Sequence, residues 1–356
     1  MAEKPMTIDG KRLQSELLDW YDENKRDLPW RIDKDPYKIW VSEIMLQQTR
    51  VETVIPYYER FIRALPSVSD LAAVDDDALL KLWEGLGYYR RATNLKKAAA
   101  IIVGQYGGCM PQEPSHLVQL PGIGPYTAGA IASIAFGQRV PASDGNVFRI
   151  LARLTACEES IDRQPVKNDL TASLEGWIPS DRPGDFNEAL MDLGATICLP
   201  GGAPLCERCP WSADCLARIR GLEKQLPVRD TKKERRIEKK TVMLLVSKGR
   251  VALQKRPGGG LLEHLWEFPG ADGWLAPSDF ANLLEDLTIS ASSIAPLGAA
   301  RHVFTHVEWH MKGYRVDVLS AKNPDRWTWV ARDELLSTYP VPTAYRYYLD
   351  ELLQEF

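Results

Sequence analysis

The 356-residue chain lacks a long apolar run, and no stretch approaches the roughly 18 apolar residues that a membrane-spanning helix needs. Its first ten residues have neither the basic start nor the apolar stretch of a secretory signal peptide. No internal repeat is visible. Neither positive nor negative charge dominates, since 44 basic and 48 acidic residues give a net charge of −4. These absences argue against a membrane partner and, taken alone, against nucleic acid. They predict a cytoplasmic protein.

Cysteine is scarce, with six in the whole chain, so the protein is not a disulfide scaffold. Four of the six nevertheless fall close together, at Cys198, Cys206, Cys209 and Cys215, with gaps of seven, two and five residues. Clustered thiols in a reducing compartment are typical of a metal or cluster site. Spacing alone leaves structural zinc and an iron–sulfur cluster both open, because both accept four thiolates.

The hydrophobic pattern changes along the chain, and a chain of this length predicts more than one domain. Up to about residue 225, apolar residues recur three and four apart, which predicts an all-helical block over 1–229. Residues 230–240 hold six basic residues against three acidic ones, which predicts a basic interdomain linker. Mixed strand and helix patterns follow over 241–356. The predicted fold class is multidomain, all-α followed by α+β.

Individual elements can be predicted in both blocks. Predicted helices of the first block cover 13–21, 39–48, 51–64, 76–84, 93–106 and 187–196. In the second block, 241–247 and 250–255 predict a hairpin, 315–320 and 327–330 predict strands, and 277–287, 332–337 and 344–353 predict helices.

The most informative motif begins at Leu120 and reads Leu-Pro-Gly-Ile-Gly-Pro-Tyr. Pro125 suits the first position of a helix, and Gly122 and Gly124 permit a tight turn before it. Such a turn presents backbone N–H groups at a helix N-terminus, where a phosphate is favoured. An ordinary turn between helices is the plain alternative. The whole string favours a helix–hairpin–helix that grips a DNA backbone without reading bases.

Two carboxylates are candidates for chemistry. Glu43 lies among apolar residues, where burial would raise the pKa of its carboxyl into the range of a general acid near neutral pH. An exposed position on a helix is equally compatible with its sequence context. Asp144 precedes a glycine and a helical stretch, so it could serve only as an N-cap.

These strings resemble the helix–hairpin–helix DNA glycosylases and, among them, the adenine DNA glycosylase family. The resemblance rests on residues 41–49, 83–89, 120–131 and 186–195, and it extends from 28–31 to 265–270. It implies a monofunctional, monomeric enzyme of base excision repair that excises adenine paired with 8-oxoguanine or guanine in double-stranded DNA. It also implies a [4Fe–4S] cluster on the four cysteines, within a loop at about 195–218. The terminal domain would be Nudix-like, with α/β/α layers, and would bind 8-oxoguanine. A bacterial, nucleoid-associated location in the cytoplasm would follow.

The resemblance implies residue roles as well. Glu43 matches the acid that protonates adenine N7, and Asp144 matches the carboxylate that stabilises positive charge on the sugar, supported by Asn146. Tyr126 stands where lyase-type relatives carry a lysine, which implies that no Schiff base forms. The implied adenine pocket consists of Trp30, Arg31, Leu46, Val51 and Glu188. The implied contacts to the duplex and the lesion are Gln48, Thr49, Leu86, Tyr88, Gly122, Gly124, Phe304, Thr305 and His306.

The sequence departs from the family pattern at two places. The first cysteine gap holds seven residues where the family usually has six, and Thr305 stands where serine is common. Threonine keeps the hydroxyl group that could meet N7 of 8-oxoguanine. The terminal domain also lacks the Glu-rich box of Nudix hydrolases, which favours a lesion binder over a nucleotide hydrolase.

Two other functions are compatible with parts of the chain. An endonuclease-III-like enzyme acting on oxidised pyrimidines is disfavoured by Tyr126 and by the additional terminal domain. A non-catalytic, DNA-bound iron–sulfur protein is disfavoured because it would have no need of both Glu43 and Asp144.

Overall fold

The computed structural model describes residues 9–202, 204–231, 234–321 and 324–355. Contacts divide the chain into two units: Met1–Ala73 with Asn94–Thr231, and Val74–Thr93 with Lys232–Phe356. The second unit therefore includes a segment that the sequence pattern assigned to the helical block. Lys232 and Lys233 of the predicted basic linker lie outside the described residues. Within the described ranges, no helix is both long and apolar enough to cross a bilayer.

The first unit is built of helices, and the six helices predicted in the N-terminal block are all present, one of them in the second unit. Their bounds are α1 Gly10–Asn24, α2 Pro36–Leu46, α3 Val51–Ala64, α4 Val68–Ala73, α5 Asp76–Trp83, α6 Arg90–Tyr106, α7 Pro114–Leu117, α8 Pro125–Phe136, α9 Gly145–Leu154, α10 Gln164–Glu175, α11 Pro183–Thr196 and α12 Leu216–Ile219. Of these, α5 belongs to the second unit. Buried apolar residues of α1, α9, α10 and α11 form one continuous core.

The loop before α9 is fixed tightly against α8 and α11. A Cβ atom at Gly129 on α8 would collide with the carbonyl oxygen of Pro141, so only glycine permits this approach. Asn187 on α11 accepts from the N–H of Ala142 at 3.1 Å and donates to the Val140 carbonyl oxygen at 2.9 Å. This buried amide holds the loop in place immediately before Asp144.

The second unit contains a mixed sheet. Its strands are β1 Arg236–Ser247, β2 Arg250–Lys255, β3 Trp266–Glu267, β4 Gly270–Asp272, β5 Ile289–Val303, β6 Val307–Ala321 and β7 Thr328–Val330, and its later helices are α13 Pro277–Asp286, α14 Arg332–Ser337 and α15 Arg346–Glu355. The strand order is β3-β2-β1-β6-β5, with β4 paired to β1 and β7 paired to β2. Strands β1 and β6 run parallel.

Alternate residues of β1 face two separate cores, as expected for a strand covered on both sides. Val242 and Leu244 join the core that contains α15, whereas Met243 and Leu245 join the core that contains α13. Helices therefore pack on both faces of the sheet, in agreement with the predicted α/β/α layers.

The structure of this unit differs from the sequence predictions at three places. The predicted linker 230–240 is partly strand, because β1 begins at Arg236 and its first residues pair with the start of β6. Strand β5 was not predicted at all, since its residues are largely exposed and include Pro296 and Gly298. It forms through pairing with β6, which itself begins eight residues earlier than predicted.

Candidate active site

A cavity of about 620 Å³ opens in the first unit. It is lined by eleven of the residues singled out from the sequence, namely Trp30, Arg31, Glu43, Leu46, Gln48, Thr49, Val51, Tyr126, Asp144, Asn146 and Glu188. These residues come from positions far apart in the chain, and the helices α2, α8, α9 and α11 bring them together. The cavity therefore combines the two candidate acids with the implied adenine pocket.

Glu43 lies on α2 and is only 4% exposed. The hydroxyl of Tyr126 donates a hydrogen bond of 2.7 Å to its Oε2 atom. Burial raises the pKa of Glu43 to about 7; the Tyr126 hydrogen bond opposes this shift and the Asp144 charge adds to it. A large fraction of Glu43 thus carries a proton at neutral pH, as a general acid requires.

Asp144 is the N-cap of α9 and also faces the cavity. Its Oδ1 atom accepts from the backbone N–H groups of Asn146 and Val147, each at 2.9 Å. Its Oδ2 atom accepts from Nδ2 of Asn146 at 2.9 Å. Burial raises the pKa of Asp144, although these hydrogen bonds act in the opposite direction. Capping and catalysis are thus compatible roles of one side chain.

Asn146 links Asp144 to the cysteine loop. Its Oδ1 atom accepts from Nη1 of Arg149 at 2.9 Å, and Nε of Arg149 donates to the Cys198 carbonyl oxygen at 2.9 Å. Arg153, one turn further along α9, lies 3.2 Å from Sγ of Cys198 through its Nη1 atom. Sequence reasoning missed both arginines, although two arginines four residues apart on an otherwise apolar helix were a visible signal.

The side of the cavity formed by Arg31 and Glu188 is a buried charge network. Arg31 makes two hydrogen bonds to Asp192, at 2.8 and 3.0 Å, and its Nε atom lies 3.0 Å from Glu188. Tyr21 donates to the other Glu188 oxygen at 2.9 Å. Burial alone would raise the pKa of Asp192, but the hydrogen bonds and charges of Arg31 and Arg26 hold it below its ordinary value. Neither Tyr21 nor Asp192 is among the site residues predicted from the sequence.

The predicted hairpin is present between α7 and α8. Gly122 has a φ of +83°, and a Cβ there would lie 3.0 Å from Cβ of Asn94, so glycine is favoured for both backbone and packing reasons. Gly124 is the N-cap of α8 and Pro125 follows at its first position. The N–H groups at this helix start have the arrangement that suits a phosphate.

All four clustered cysteines line one further cavity, together with Arg153 and Arg218. Burial raises the pKa of Cys206 and Cys215, and it raises that of Cys209 to about 12. Across the described residues, no group of three or more His, Cys, Asp or Glu side chains is arranged to hold a metal ion. Four free thiols that line a single cavity do supply the donor set of a four-thiolate group.

The predicted lesion loop joins β5 to β6 in the second unit. Phe304 packs edge-on against Trp309, with ring centroids 5.0 Å apart, while Thr305 and His306 are exposed. The Thr305 hydroxyl lies 3.3 Å from that of Tyr88, which is 47% exposed and has a strained φ of +47°. Leu86, which is among the implied contacts to the duplex and the lesion, is only 6% exposed. Tyr88 is therefore accessible at the surface of the second unit, whereas Leu86 is buried.

Comparison with known proteins first defines the class. Residues 41–175 match the family model described as HhH-GPD superfamily base excision DNA repair protein, and residues 241–351 match the NUDIX domain. A thermostable thymine-DNA glycosylase of known structure aligns with a TM-score of 0.54 and 30% identity, over 59% of this chain and 97% of that one. The chain thus has a helix–hairpin–helix glycosylase core followed by a Nudix-like domain.

Relatives along most of the chain narrow this class to one family. An adenine DNA glycosylase of Buchnera aphidicola (subspecies Baizongia pistaciae) is 34% identical over 87% of this chain and 89% of its own length. The human adenine DNA glycosylase is 37% identical over 82% of this chain and 64% of its own length. The chain therefore belongs to the adenine DNA glycosylase family. It spans just under two thirds of the human relative.

Proposed function

We propose that this protein removes adenine paired with 8-oxoguanine or guanine from double-stranded DNA, as a monomeric, monofunctional N-glycosylase of base excision repair. The observation that carries the proposal is the pairing of Glu43, with its pKa raised to about 7, and Asp144 in one cavity. Two carboxyl groups with different protonation states are what cleavage of a glycosidic bond requires.

The two carboxyl groups would act in sequence on a flipped adenosine. Glu43 donates its proton to N7 of adenine, so the bond from C1′ to N9 breaks with its electron pair leaving on the base. Asp144, ionised, stabilises the positive charge that develops on the sugar. Water then adds its oxygen to C1′ and returns a proton to Glu43. The products are free adenine and an abasic site.

The charge network beside these acids would hold the flipped base. Arg31 is fixed by its two hydrogen bonds to Asp192, so its orientation and that of Glu188 are set before adenine arrives. Tyr126 offers no amine for a Schiff base, and its hydroxyl already holds Glu43. The strand should therefore remain intact after base release.

Duplex recognition would be divided between the two units. The hairpin at Gly122 and Gly124 would contact the DNA backbone, and Gln48 and Thr49 at the cavity would wedge into the duplex and meet the lesion base. The loop of Phe304, Thr305 and His306, together with Tyr88, would meet the opposite base. The Thr305 hydroxyl can accept a hydrogen bond from the N7 proton that distinguishes 8-oxoguanine from guanine.

The four cysteines would hold a [4Fe–4S] cluster. When bound, the cluster would cross-link the 198–215 loop and stabilise its structure. It would take no part in base release. The hydrogen bonds from Arg149 and Arg153 to Cys198 would connect this loop to Asn146 and thus keep Asp144 in position. A bacterial, nucleoid-associated protein in the cytoplasm fits this function.

One assay separates this function from its alternatives. The full-length protein is incubated with labelled duplexes that contain adenine opposite 8-oxoguanine, and half of each sample is then heated in alkali. Strand breaks that need alkali are expected, together with released adenine. Breaks without alkali would indicate a lyase, and binding without base release would indicate a non-catalytic protein.

A further inference from the structure

Residues 74–93, which we call the docked segment, belong by their contacts to the unit of the terminal domain. Lys81 on α5 is the centre of one contact. Its Nζ atom donates to the carbonyl oxygens of Leu335 at 3.3 Å and Tyr339 at 3.2 Å. It also pairs with Oε2 of Glu84 at 2.7 Å. The ammonium group thus bridges α5 to the end of α14 and the turn after it.

Two carboxylates, one on α5 and one at the residue that follows it, extend this contact. Asp77 accepts from Nζ of Lys255 at 2.7 Å and from Nε1 of Trp266 at 3.3 Å. The second oxygen of Glu84 accepts from the N–H of Val341 at 2.9 Å. Asp77 and Lys81 are four residues apart and share one face of α5, and Glu84 is the C-cap residue of that helix. We call these three residues the polar clamp.

The turn after α5 is tied to the helix that precedes it and the helix that follows. Nε1 of Trp83 donates to the Gly87 carbonyl oxygen at 3.1 Å. Nη2 of Arg91 on α6 donates to the carbonyl oxygens of Leu86 at 3.1 Å and Gly87 at 3.0 Å. The Arg91 guanidinium also lies 5.6 Å from the centre of the Tyr88 ring. These contacts attach the turn that carries Tyr88 to the end of α5 and to the start of α6.

The docked segment meets the terminal domain a second time where the Tyr88 hydroxyl lies 3.3 Å from that of Thr305. We propose that the polar clamp sets the position of Tyr88 against Thr305 and thereby determines how well 8-oxoguanine is distinguished from guanine. This inference rests on the proposed function. Asp77, Lys81 and Glu84 would be positioning residues, since none of them needs to touch DNA.

The chemistry of the clamp favours positioning over stability. The side chains of Asp77, Lys81 and Glu84 keep 27%, 18% and 26% of their surface exposed, and ion pairs in such places add little to the free energy of unfolding. Hydrogen bonds to fixed backbone groups at Leu335, Tyr339 and Val341 do, however, define one direction for α5. Their loss should change geometry more than stability.

The test uses the full chain with Lys81→Met, which keeps the length of the side chain and removes its three donors. Lys81→Arg restores donors, and Lys11→Met alters an exposed lysine on α1 as a matched control. Single-turnover rate constants are measured for adenine opposite 8-oxoguanine and opposite guanine, with the melting temperature of each variant. Hydrogen exchange is measured at residues 84–88.

Lys81→Met is expected to lower the ratio of the two rate constants by about tenfold, the size of one good base contact. Its rate on adenine opposite guanine should not change, exchange at 84–88 should accelerate, and Lys81→Arg should recover most of the ratio. An unchanged ratio, or equal losses on both duplexes with a lower melting temperature, would overturn the inference alone. A wild-type protein without any preference would also overturn the inference alone, whereas a wild-type protein that releases no adenine from either duplex would overturn the proposed function and this inference with it.

Discussion

The cavity of the first unit and the loop of the second differ in the solvent exposure and the hydrogen-bond partners of their polar side chains. In the cavity, Glu43 and Asp192 are 4% and 0% exposed, and each is held by a hydroxyl or guanidinium partner. In the loop, Thr305 and His306 are exposed, and Thr305 makes one neutral hydrogen bond. Burial in the cavity raises the pKa of a carboxyl group, as acid catalysis requires. An exposed hydroxyl in the loop can instead form a hydrogen bond with the edge of a base.

This difference predicts two kinds of substitution effect. Changes in the cavity should remove chemistry by orders of magnitude and leave recognition of the duplex intact. Changes in the loop should leave chemistry intact and alter only the choice of the opposite base.

The largest effect is expected for Asp144→Asn, which should lower the single-turnover rate by about three powers of ten. Asparagine is also a good N-cap, so α9 should keep its start and the protein its fold. Excision is followed on labelled duplex, and affinity is followed by fluorescence anisotropy. A loss of affinity in parallel with the loss of rate would show that Asp144 acts only as a cap.

Glu43→Gln should also lower the rate, by about two powers of ten, because the acidic proton is lost. In the wild type, the proton is present below a pKa of about 7 and is lost as the pH rises through that value. The rate should therefore fall on the alkaline side of about pH 7. It should also fall on the acidic side as Asp144 becomes protonated, at a higher pH than an ordinary aspartate because the pKa of Asp144 is raised.

The pH–rate profile of single-turnover excision measures both limbs. Glu175→Gln on α10, which is exposed, is the matched control and should keep the full profile. If Glu43→Gln retains the alkaline limb, then another group supplies the proton.

An intermediate effect is expected for Cys206→Ser, because serine does not replace a thiolate ligand. The wild type should be yellow-brown and contain about four irons per chain. The variant should lose iron, soluble yield and affinity for DNA. Cys109→Ser, at an exposed cysteine outside the cluster, should keep all three. Stoichiometric zinc in protein made with ample iron would contradict the [4Fe–4S] proposal.

Local patterns predicted much of the fold, and their failures have a common cause. Helices α3 and α14 and strand β2 have the bounds that periodicity predicted, since each buries one face or has a clear end. Strand β5 lacks such a pattern because it is an exposed edge strand. The attachment of residues 74–93 to the terminal domain depends on contacts between distant residues, which no local pattern shows.

The candidate site, too, could be predicted only in part from local sequence patterns. Glu43, Tyr126 and Asp144 were found through the family resemblance, while their own sequence context left plain structural roles open. Asp192 and Arg149 were missed because a charged residue on a helix is usually taken as solvent-exposed. Only their partners, Arg31 and Cys198, show that they are buried and paired.

The central claim is that the cavity carries out base release and the loop recognises 8-oxoguanine. The most direct test is Thr305→Ala in the full chain, with single-turnover rate constants measured for adenine opposite guanine and opposite 8-oxoguanine. Truncation is less suitable, since it would also remove the partner of residues 74–93. The rate on adenine opposite guanine should stay at the wild-type value. The rate opposite 8-oxoguanine should fall by about one power of ten, and Thr305→Ser should retain it. Equal loss on both duplexes, or no loss on either, would contradict the assignment of lesion reading to this loop.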